Sequence, residues 1–186
     1  DNSLHFSETA ESKTDIIQKQ NLKKNNFILA TIHRDNNTDI PQRLNSIFSA
    51  LNFISIKNNL DIVLPLHPRT SKLLDKNLNE DLLRKIKSNP HFKITTPVSF
   101  LEMIALEKNC CLVMTDSGGV QEEAPAFGKP VLVMRDTTER PEGVAAGTAK
   151  LVGTDEKRIL TELSVLLGHP AAYSAMSRAH NPFGDG

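Results

Sequence analysis

The sequence predicts an α/β protein with a Rossmann-like parallel sheet that is covered by helices on both faces. Three observations support this prediction. From Phe27 onward, short apolar runs alternate with longer amphipathic segments, which is the order of consecutive βαβ units. Polar and glycine-containing stretches follow several of these runs directly, where open parallel sheets bind their ligands. The length of 186 residues suits a single core.

Five short apolar runs are interpreted as buried strands. They are FILATIH (27–33), DIVLPLH (61–67), FKITT (92–96), CLVMTD (111–116) and PVLVM (130–134). Strands that are buried on both faces read as continuous apolar runs rather than as alternating patterns. Because crossovers between parallel strands are right-handed, one twisted sheet is expected.

Helices are predicted in the intervals between these runs. In the first long interval, apolar residues recur at three- and four-residue steps and so share one helical face; they are Ile40, Leu44, Ile47, Phe48, Leu51 and Ile54. A later segment begins with Ser99 and Glu102 in the spacing of a capping box. This spacing predicts the start of a further helix.

Residues 1–24 are predicted to be a linker with one marginal helix, and residues 25–186 to be the domain itself. The first part is polar apart from Ile16 and Ile17, and it lacks the basic and apolar regions of a signal peptide. The tail, AYSAMSRAHNPFGDG, is expected to end in a loop. Since the chain also opens without Met, we expect it to be part of a longer, cytoplasmic protein.

The composition excludes several function classes. Lys plus Arg and Asp plus Glu both total 22, so no overall basic field attracts nucleic acid. No apolar segment is long enough to predict a membrane span. Cys110 and Cys111 are adjacent, which prevents an ordinary disulfide between them and differs from the spacing of zinc sites. We therefore expect two buried thiols, no metal, and anion binding only at a local site.

The stretch TDSGGVQEEAP (115–125) is a candidate anion site. A strand that continues through Ser117, Gly118 and Gly119 into a helix leaves free N–H groups and the positive end of the helix dipole at the strand ends. This arrangement suits a phosphate group. A capped tight turn explains the same residues, so both interpretations remain open. The dinucleotide and P-loop glycine patterns are absent.

Two acids follow the glycines on the same predicted helix. Glu122 and Glu123 are about 100° apart around the helix axis, so at most one of them can face a ligand beside the glycines. A carboxylate that accepts hydrogen bonds from vicinal hydroxyls is a common way of holding a ribose. Pro125 cannot donate to the carbonyl of Gln121, so the helix should be distorted there.

Basic side chains follow the other predicted strands. His33 and Arg34 come after the first run and His67 after the second, so two histidines at equivalent strand ends converge on one crevice. Arg135 and Arg140 follow the last run, and the arginine fork matches phosphate oxygens. Structural histidines and solvated arginines are the alternatives. No metal-ligand spacing accompanies the histidines.

The segment TDSGGVQEEAPAFGKPVLVMRDTTERPEG (115–143) resembles the non-hydrolysing UDP-N-acetylglucosamine 2-epimerases. TIHRDNN, LPLHPRT and NPFGDG match the same family, so the resemblance runs from about Phe27 to the end of the chain. It implies a GT-B protein, in which two Rossmann-like domains hold a UDP-sugar in the cleft between them. This chain would be the C-terminal half of the GT-B fold, without the N-terminal domain.

Carried over residue by residue, the resemblance implies a UDP site. The diphosphate loop falls on Ser117, Gly118 and Gly119, and the ribose carboxylate falls on Glu123. The arginine near the phosphates is Arg140. The uracil pocket falls on Val98 and Met103. His33 matches the functional histidine in the motif Thr-x-His-Arg-x-Glu-Asn and is expected to be catalytic. Asn36 occupies the position of the Glu in that motif. Arg34 and His67, from the same crevice, are expected to contact the substrate.

The family's reaction eliminates UDP across C1 and C2 and adds it back with the opposite configuration at C2, without a redox cofactor. The resemblance implies a homodimeric enzyme that converts UDP-GlcNAc to UDP-ManNAc for bacterial cell-envelope polysaccharides. Its acid/base carboxylates lie mainly on the N-terminal domain, so this chain is expected to bind UDP without turnover. The alternatives are an epimerase of another UDP-2-acetamido sugar, a GT-B glycosyltransferase, and a module that only binds.

Overall fold

A computed structural model describes residues 13–184 of the chain. Its strands form one sheet in the order β3-β2-β1-β4-β5-β6, and every neighbouring pair is parallel. The strands are Phe27–Thr31 (β1), Asp61–Pro65 (β2), Phe92–Thr95 (β3), Leu112–Thr115 (β4), Val131–Val133 (β5) and Ala149–Leu151 (β6). The strand order reverses at β1, which lies between β2 and β4.

Helices connect these strands. They are Ile16–Lys19 (α1), Asp35–Thr38 (α2), Pro41–Lys57 (α3), Pro68–Asn77 (α4), Glu80–Ser88 (α5), Phe100–Asn109 (α6), Gly118–Glu123 (α7), Pro141–Ala146 (α8), Glu156–Gly168 (α9) and Pro170–Ser177 (α10), with a 3-10 turn at Ala124–Phe127. Within residues 13–184, none of the helices is long and apolar enough to cross a membrane.

The two faces of β1 belong to different apolar clusters. Ile28 and Ala30 pack with residues of α3 and α9, whereas Phe27 and Leu29 pack with residues of α6 on the other side of the sheet. All four side chains are fully buried. Because both faces are covered, the strand reads as an unbroken apolar run. The predicted Rossmann-like parallel sheet is confirmed.

All five predicted strands are present, and β6 is an additional strand at the edge of the sheet. It has three residues, and the exposed Lys150 lies between Ala149 and Leu151. A strand at the edge of the sheet is covered less than a central one, so its residues need not all be apolar. The sequence therefore has no apolar run at this position.

The predicted helices are also present. α3 covers the apolar stripe that begins after Ile40, and Ile40 itself is the N-cap residue, 40% exposed. The capping box of α6 has both of its hydrogen bonds. The Glu102 N–H donates to Ser99 Oγ at 3.1 Å, and the Ser99 N–H donates to Glu102 Oε1 at 2.8 Å.

The helix is distorted at Pro125 as predicted. α7 ends at Glu123, and the chain continues as a 3-10 turn with Pro125 in its first turn. Gly128 ends this turn with a φ of 68°, in the left-handed region that glycine tolerates without a steric cost.

Both ends of the described chain pack onto the domain. α1 is the predicted marginal helix, and its Ile16 is buried in the cluster that includes α6. α10 precedes the non-helical residues 178–184, and the Tyr173 hydroxyl donates to the Cys111 carbonyl at 2.6 Å. The division between residues 24 and 25 remains a prediction.

The adjacent cysteines are buried, as expected. Burial raises the pKa of Cys111 to about 11 and raises the pKa of Cys110 further above its usual range, so both are neutral thiols at physiological pH. Among residues 13–184, no group of three or more His, Cys, Asp or Glu side chains could hold a metal ion.

Candidate functional site

The candidate site lies at the carboxyl ends of β1, β4 and β5. The strand order reverses between β1 and β4, and open α/β sheets bind ligands in the crevice outside such a switch point. The loops after these three strands carry His33, Ser117 and Arg140.

The buried carboxylate of Asp116 organises the loop after β1. Asp116 is 0% exposed. Its oxygens accept hydrogen bonds from the backbone N–H groups of His33, at 3.2 Å, and Arg34, at 3.0 Å. They also accept from Asn37 Nδ2 at 3.1 Å, and the same amide group donates to the Met134 carbonyl at 3.0 Å. Asp116 therefore joins the ends of β1, β4 and β5.

The side chain of His33 is available to a ligand. It is 54% exposed, and its Nδ1 lies 4.0 Å from Asp116 Oδ1, too far for a hydrogen bond. The Arg34 side chain is held on both sides, because Nε donates to the Asp116 carbonyl at 3.2 Å and Nη2 lies 2.9 Å from Glu139 Oε1. The backbone of His33 is thus fixed by Asp116, while its imidazole ring remains accessible.

Glu139 connects two arginines of the site. Arg135 Nη1 donates to Glu139 Oε1 at 3.0 Å, beside the contact from Arg34. The hydrogen bond from Arg135, and then the charge of Arg34, lowers the pKa of Glu139. The carboxylate therefore stays ionised and holds both guanidinium groups near the crevice.

Ser117 occupies the N-cap position of α7, but its hydroxyl makes no capping hydrogen bond. The turn is held instead by the Ser117 N–H, which donates to Thr115 Oγ1 at 2.9 Å. Thr115 Oγ1 in turn shares a hydrogen bond of 2.6 Å with Thr31 Oγ1 on β1. Because the hydroxyl is not used for capping, this geometry favours the anion-site interpretation over the capped turn.

Arg140 lies against the glycine loop. A Cβ atom at Gly118 would be 3.3 Å from Arg140 Cζ, so the guanidinium group packs where a side chain would otherwise be. Arg140 Nε also forms an ion pair with Glu122 Oε1. The arginine predicted to contact a phosphate is therefore beside the predicted diphosphate loop.

Gln121 connects the loop of Arg140 to the start of α7. This residue is 1% exposed. Its Nε2 donates to the Ser117 carbonyl at 3.2 Å, and its Oε1 accepts from Thr138 Oγ1 at 2.7 Å. The Arg140 N–H then donates to Thr138 Oγ1 at 3.0 Å. A chain of three hydrogen bonds thus sets the position of Arg140 relative to Ser117.

The two neighbouring acids of α7 have different surroundings. Glu122 pairs with Arg140. Glu123 lies instead beside Gly119: a Cβ atom built at Gly119 would be 3.9 Å from Glu123 Oε1 and 4.0 Å from Ser117 Oγ. Burial, and then the charge of Glu122, raises the pKa of Glu123. Glu123 is therefore the acid that lies beside the glycines together with the serine hydroxyl.

The remaining candidate residues are His67, Val98 and Met103. His67 is the N-cap residue of α4, and its Nδ1 accepts from the Arg69 N–H at 3.3 Å, so only Nε2 remains for a ligand. Val98 precedes α6 and Met103 lies within it, and both side chains are partly buried against the apolar cluster that includes this helix. No described contact joins these three side chains to the group around Gly118.

A cavity of about 330 Å³ opens next to the loop after β1. Its lining includes Arg34, Arg43 and Arg135 together with Asn36, the residue in the position of the motif's Glu. Arg43 Nη2 pairs with Asp136 Oδ2 at 3.2 Å. The cavity does not include the glycine loop.

Sequence reasoning assigned no role in the site to Asp116 or to Gln121. The carboxylate of Asp116 accepts from the backbone N–H groups of His33 and Arg34 and from the Asn37 side chain, which are 79 to 83 positions away in the chain. No local pattern reveals such a pairing. The available signal was an acid at the carboxyl end of a buried strand, directly before a glycine loop, where an unpaired charge would be costly.

One family model, described as UDP-N-acetylglucosamine 2-epimerase, matches residues 1–186. The UDP-N-acetylglucosamine 2-epimerase of Salmonella typhimurium is 44% identical over 161 residues, which are 86% of this chain and 41% of that protein. The Escherichia coli K12 protein of the same name is 49% identical over 128 residues, 69% of this chain and 32% of that protein. The chain therefore spans less than half the length of these curated relatives.

A solved structure gives the same result. The Methanocaldococcus jannaschii UDP-GlcNAc 2-epimerase in complex with UDP-GlcNAc and UDP superposes with a TM-score of 0.83 at 36% identity. The match covers 98% of this chain and 48% of that chain. The fold and the sequence thus point to the same group of proteins.

Proposed function

The chain belongs to the UDP-N-acetylglucosamine 2-epimerase family, and we propose that it forms the C-terminal, UDP-binding half of a GT-B epimerase. One observation carries the proposal: the Arg140 guanidinium group packs against Gly118, and the Glu123 carboxylate lies beside Gly119. The related Methanocaldococcus jannaschii structure contains UDP-GlcNAc and UDP. An N-terminal domain that completes the cleft is part of the proposal.

The diphosphate of UDP is assigned to the glycine loop. Gly118 and Gly119 allow the backbone to approach an anion, and the N–H groups at the start of α7 point toward it. The Ser117 hydroxyl, which makes no capping bond, supplies a further donor. Arg140 supplies positive charge, and its pairing with Glu122 fixes the direction of the guanidinium group.

The nucleoside is assigned to the other side of the loop. Glu123 would accept hydrogen bonds from the ribose hydroxyls, and Val98 with Met103 would line the uracil pocket. Arg34 and Nε2 of His67 are proposed as outer contacts of the substrate. These assignments follow the family resemblance, and the position of Glu123 beside Gly119 supports the ribose assignment.

In the proposed reaction, a base removes the proton from C2 of the sugar. The bond between C1 and the UDP oxygen breaks, its electron pair stays on the β-phosphate, and a C1–C2 double bond forms. UDP then returns to C1 and a proton to the opposite face of C2, which gives UDP-ManNAc. No oxidant or cofactor is needed.

The residues of this chain would stabilise the departing UDP. Negative charge develops on the β-phosphate oxygen, and Arg140 and the N–H groups of α7 stabilise it electrostatically. His33, the proposed catalytic residue, lies at the neighbouring strand end and can exchange a proton or donate a hydrogen bond. The carboxylates that act at C2 are proposed to belong to the N-terminal domain. For the full-length protein we also propose a cytoplasmic homodimer.

Calorimetric titration of the 186-residue chain with UDP tests the proposal. We expect UDP to bind and ADP, which has the same diphosphate and ribose, to bind more weakly, because the uracil pocket distinguishes the bases. Absence of UDP binding, or equal affinities for the two nucleotides, would contradict the assignment.

A further inference from the structure

The hydroxyl group of Thr138 joins the loop of Arg140 to α7. Thr138 lies in the irregular loop after β5 and is half-buried. Its Oγ1 donates to Gln121 Oε1 at 2.7 Å and accepts from the Arg140 N–H at 3.0 Å. The hydroxyl group is thus used both as a donor and as an acceptor. One side chain therefore sets where the backbone of Arg140 lies relative to the helix.

Gln121 is the partner of this hydroxyl group on α7. It is 1% exposed, and the other end of its amide group, Nε2, donates to the Ser117 carbonyl at 3.2 Å. A buried amide group destabilises a fold unless its polar atoms are hydrogen-bonded. An apolar side chain such as methionine would fill a similar space without that requirement. The amide group therefore contributes a bridge between two loops of the site rather than packing alone.

The side chain of Arg140 is held by α7 as well. Its Nε forms an ion pair with Glu122 Oε1, and its guanidinium group lies against Gly118. Glu122 follows Gln121 directly in the helix. One helix therefore holds the guanidinium group through Glu122 and the backbone of the same arginine through Thr138, so Arg140 is tied to α7 at two points.

The second of these ties bears on one phosphate of the proposed ligand. Arg140 is assigned to the β-phosphate of UDP, whereas the ribose and the uracil ring are assigned to Glu123, Val98 and Met103. The hydrogen bonds of Thr138 involve none of those three residues. Loss of the Thr138 hydroxyl group should therefore weaken the contact with the β-phosphate and leave the nucleoside contacts in place.

We infer that Thr138 and Gln121 are positioning residues that make nucleotide binding depend on the second phosphate, because they hold Arg140 beside the glycine loop. This inference rests on the proposed UDP function. UMP has the same uracil, ribose and first phosphate as UDP but no group for Arg140 to contact, so the site should bind UDP more tightly than UMP. Both residues act through Arg140 and do not contact the nucleotide themselves.

Calorimetric titrations of the 186-residue chain with UDP and with UMP test the inference. Thr138→Val keeps the shape of the side chain but removes its hydroxyl group. We expect UDP to bind about fivefold to tenfold more weakly to this variant and UMP to bind with unchanged affinity. Thr138→Ser keeps the hydroxyl group, so it should bind UDP as the unchanged chain does.

Thr161→Val is the matched control. The exposed Thr161 hydroxyl group donates to the Lys157 carbonyl within α9, so the same chemical change occurs away from the site. This variant should bind both nucleotides as the unchanged chain does. UMP binding also shows whether a variant keeps a folded nucleoside site, which separates a local effect on Arg140 from unfolding.

Gln121→Met tests the other end of the tie. It removes both polar atoms of the amide group, and we expect it to weaken the binding of UDP but not of UMP. In the double variant with Thr138→Val, the two losses should not add, because both substitutions break the same hydrogen bond. Fully additive losses would mean that the two residues act separately, which would overturn the inference.

The remaining outcomes separate this inference from the proposed function. If Thr138→Val loses equal affinity for UDP and UMP, or loses none for UDP, the hydroxyl group does not position Arg140 for the second phosphate. Equal binding of UDP and UMP by the unchanged chain would likewise overturn the inference, while UDP binding itself would still support the proposed function. If the unchanged chain does not bind UDP, both are overturned.

Discussion

Gly118 packs closely against the guanidinium group of Arg140. A Cβ atom there would lie 3.3 Å from both Cζ and Nη2 of Arg140, and the ion pair with Glu122 restricts how far the guanidinium group can withdraw. We expect Gly118→Val to displace Arg140, obstruct the diphosphate loop and weaken UDP binding by about tenfold or more. Isothermal titration calorimetry with UDP measures this effect.

Gly168→Ala is the control for that substitution. Gly168 ends α9, and a Cβ atom there would have nothing within 4 Å. The control should bind UDP as the unchanged chain does and should be slightly more stable, since alanine favours a helix. Equal UDP affinities for the Gly118 variant and the control would contradict the assignment of the diphosphate to this loop.

Asp116 is expected to be the residue of the site whose loss most affects stability. The amide nitrogen introduced by Asp116→Asn would face donors rather than acceptors, because Asp116 accepts from His33, Arg34 and Asn37. We expect the free energy of unfolding to decrease by roughly 2 to 4 kcal/mol, measured by urea denaturation. Asp75→Asn, at an acid that is 65% exposed, should change it by less than about 1 kcal/mol. Similar losses in the two variants would contradict the role of Asp116.

At the scale of helices and strands, the sequence predicts those elements that are covered on both faces. The run at 27–33 identified β1 because Phe27, Ile28 and Leu29 are all buried. The same reasoning failed for β6, where Lys150 is exposed at the sheet edge. Capping chemistry is local, so Ser99 and Glu102 marked the start of α6 correctly. The contacts of Asp116 are long-range, so they required the structure.

α6 should give the fold a pH dependence, because it carries Glu107. In the unfolded chain Glu107 ionises near its usual 4.5, whereas in the folded chain its pKa is about 9. Between these values the unfolded state binds fewer protons than the folded state, so stability decreases as the pH rises and levels off above about 9. Glu107→Gln should remove this part of the decrease, measured by urea denaturation at several pH values.

Glu80→Gln, on α5, serves as the control for the Glu107 substitution. It removes an exposed carboxylate of the same length, so its stability should follow the pH profile of the unchanged chain. If the stability of Glu107→Gln also follows that profile, the carboxyl group of Glu107 is ionised in the folded protein, and the expected pH dependence of the fold is wrong.

At the scale of the whole molecule, the proposed function separates binding from chemistry. The group around Gly118 is preorganised by Gln121 and Thr138, which lie within one half of the proposed cleft. By contrast, the ring of His33 is 54% exposed and has no hydrogen bond to the nearest carboxylate. Proton transfer at a sugar carbon requires positioned acids and bases on both sides of the carbon, and in the proposed function this chain supplies one open face of that site.

The chain alone is therefore expected to bind UDP without exchanging the C2 proton of UDP-GlcNAc. In D₂O, the full-length protein should incorporate deuterium at C2 without any acceptor, because elimination exposes C2 to a proton from solvent; proton NMR measures this exchange.

His33→Ala in the full-length protein should slow the exchange by about a hundredfold or more if His33 acts as an acid or base. A glycosyltransferase would show no exchange without an acceptor, and exchange with a different UDP-2-acetamido sugar alone would change the assigned substrate. Exchange catalysed by the chain itself would mean that the acid/base groups lie within these 186 residues.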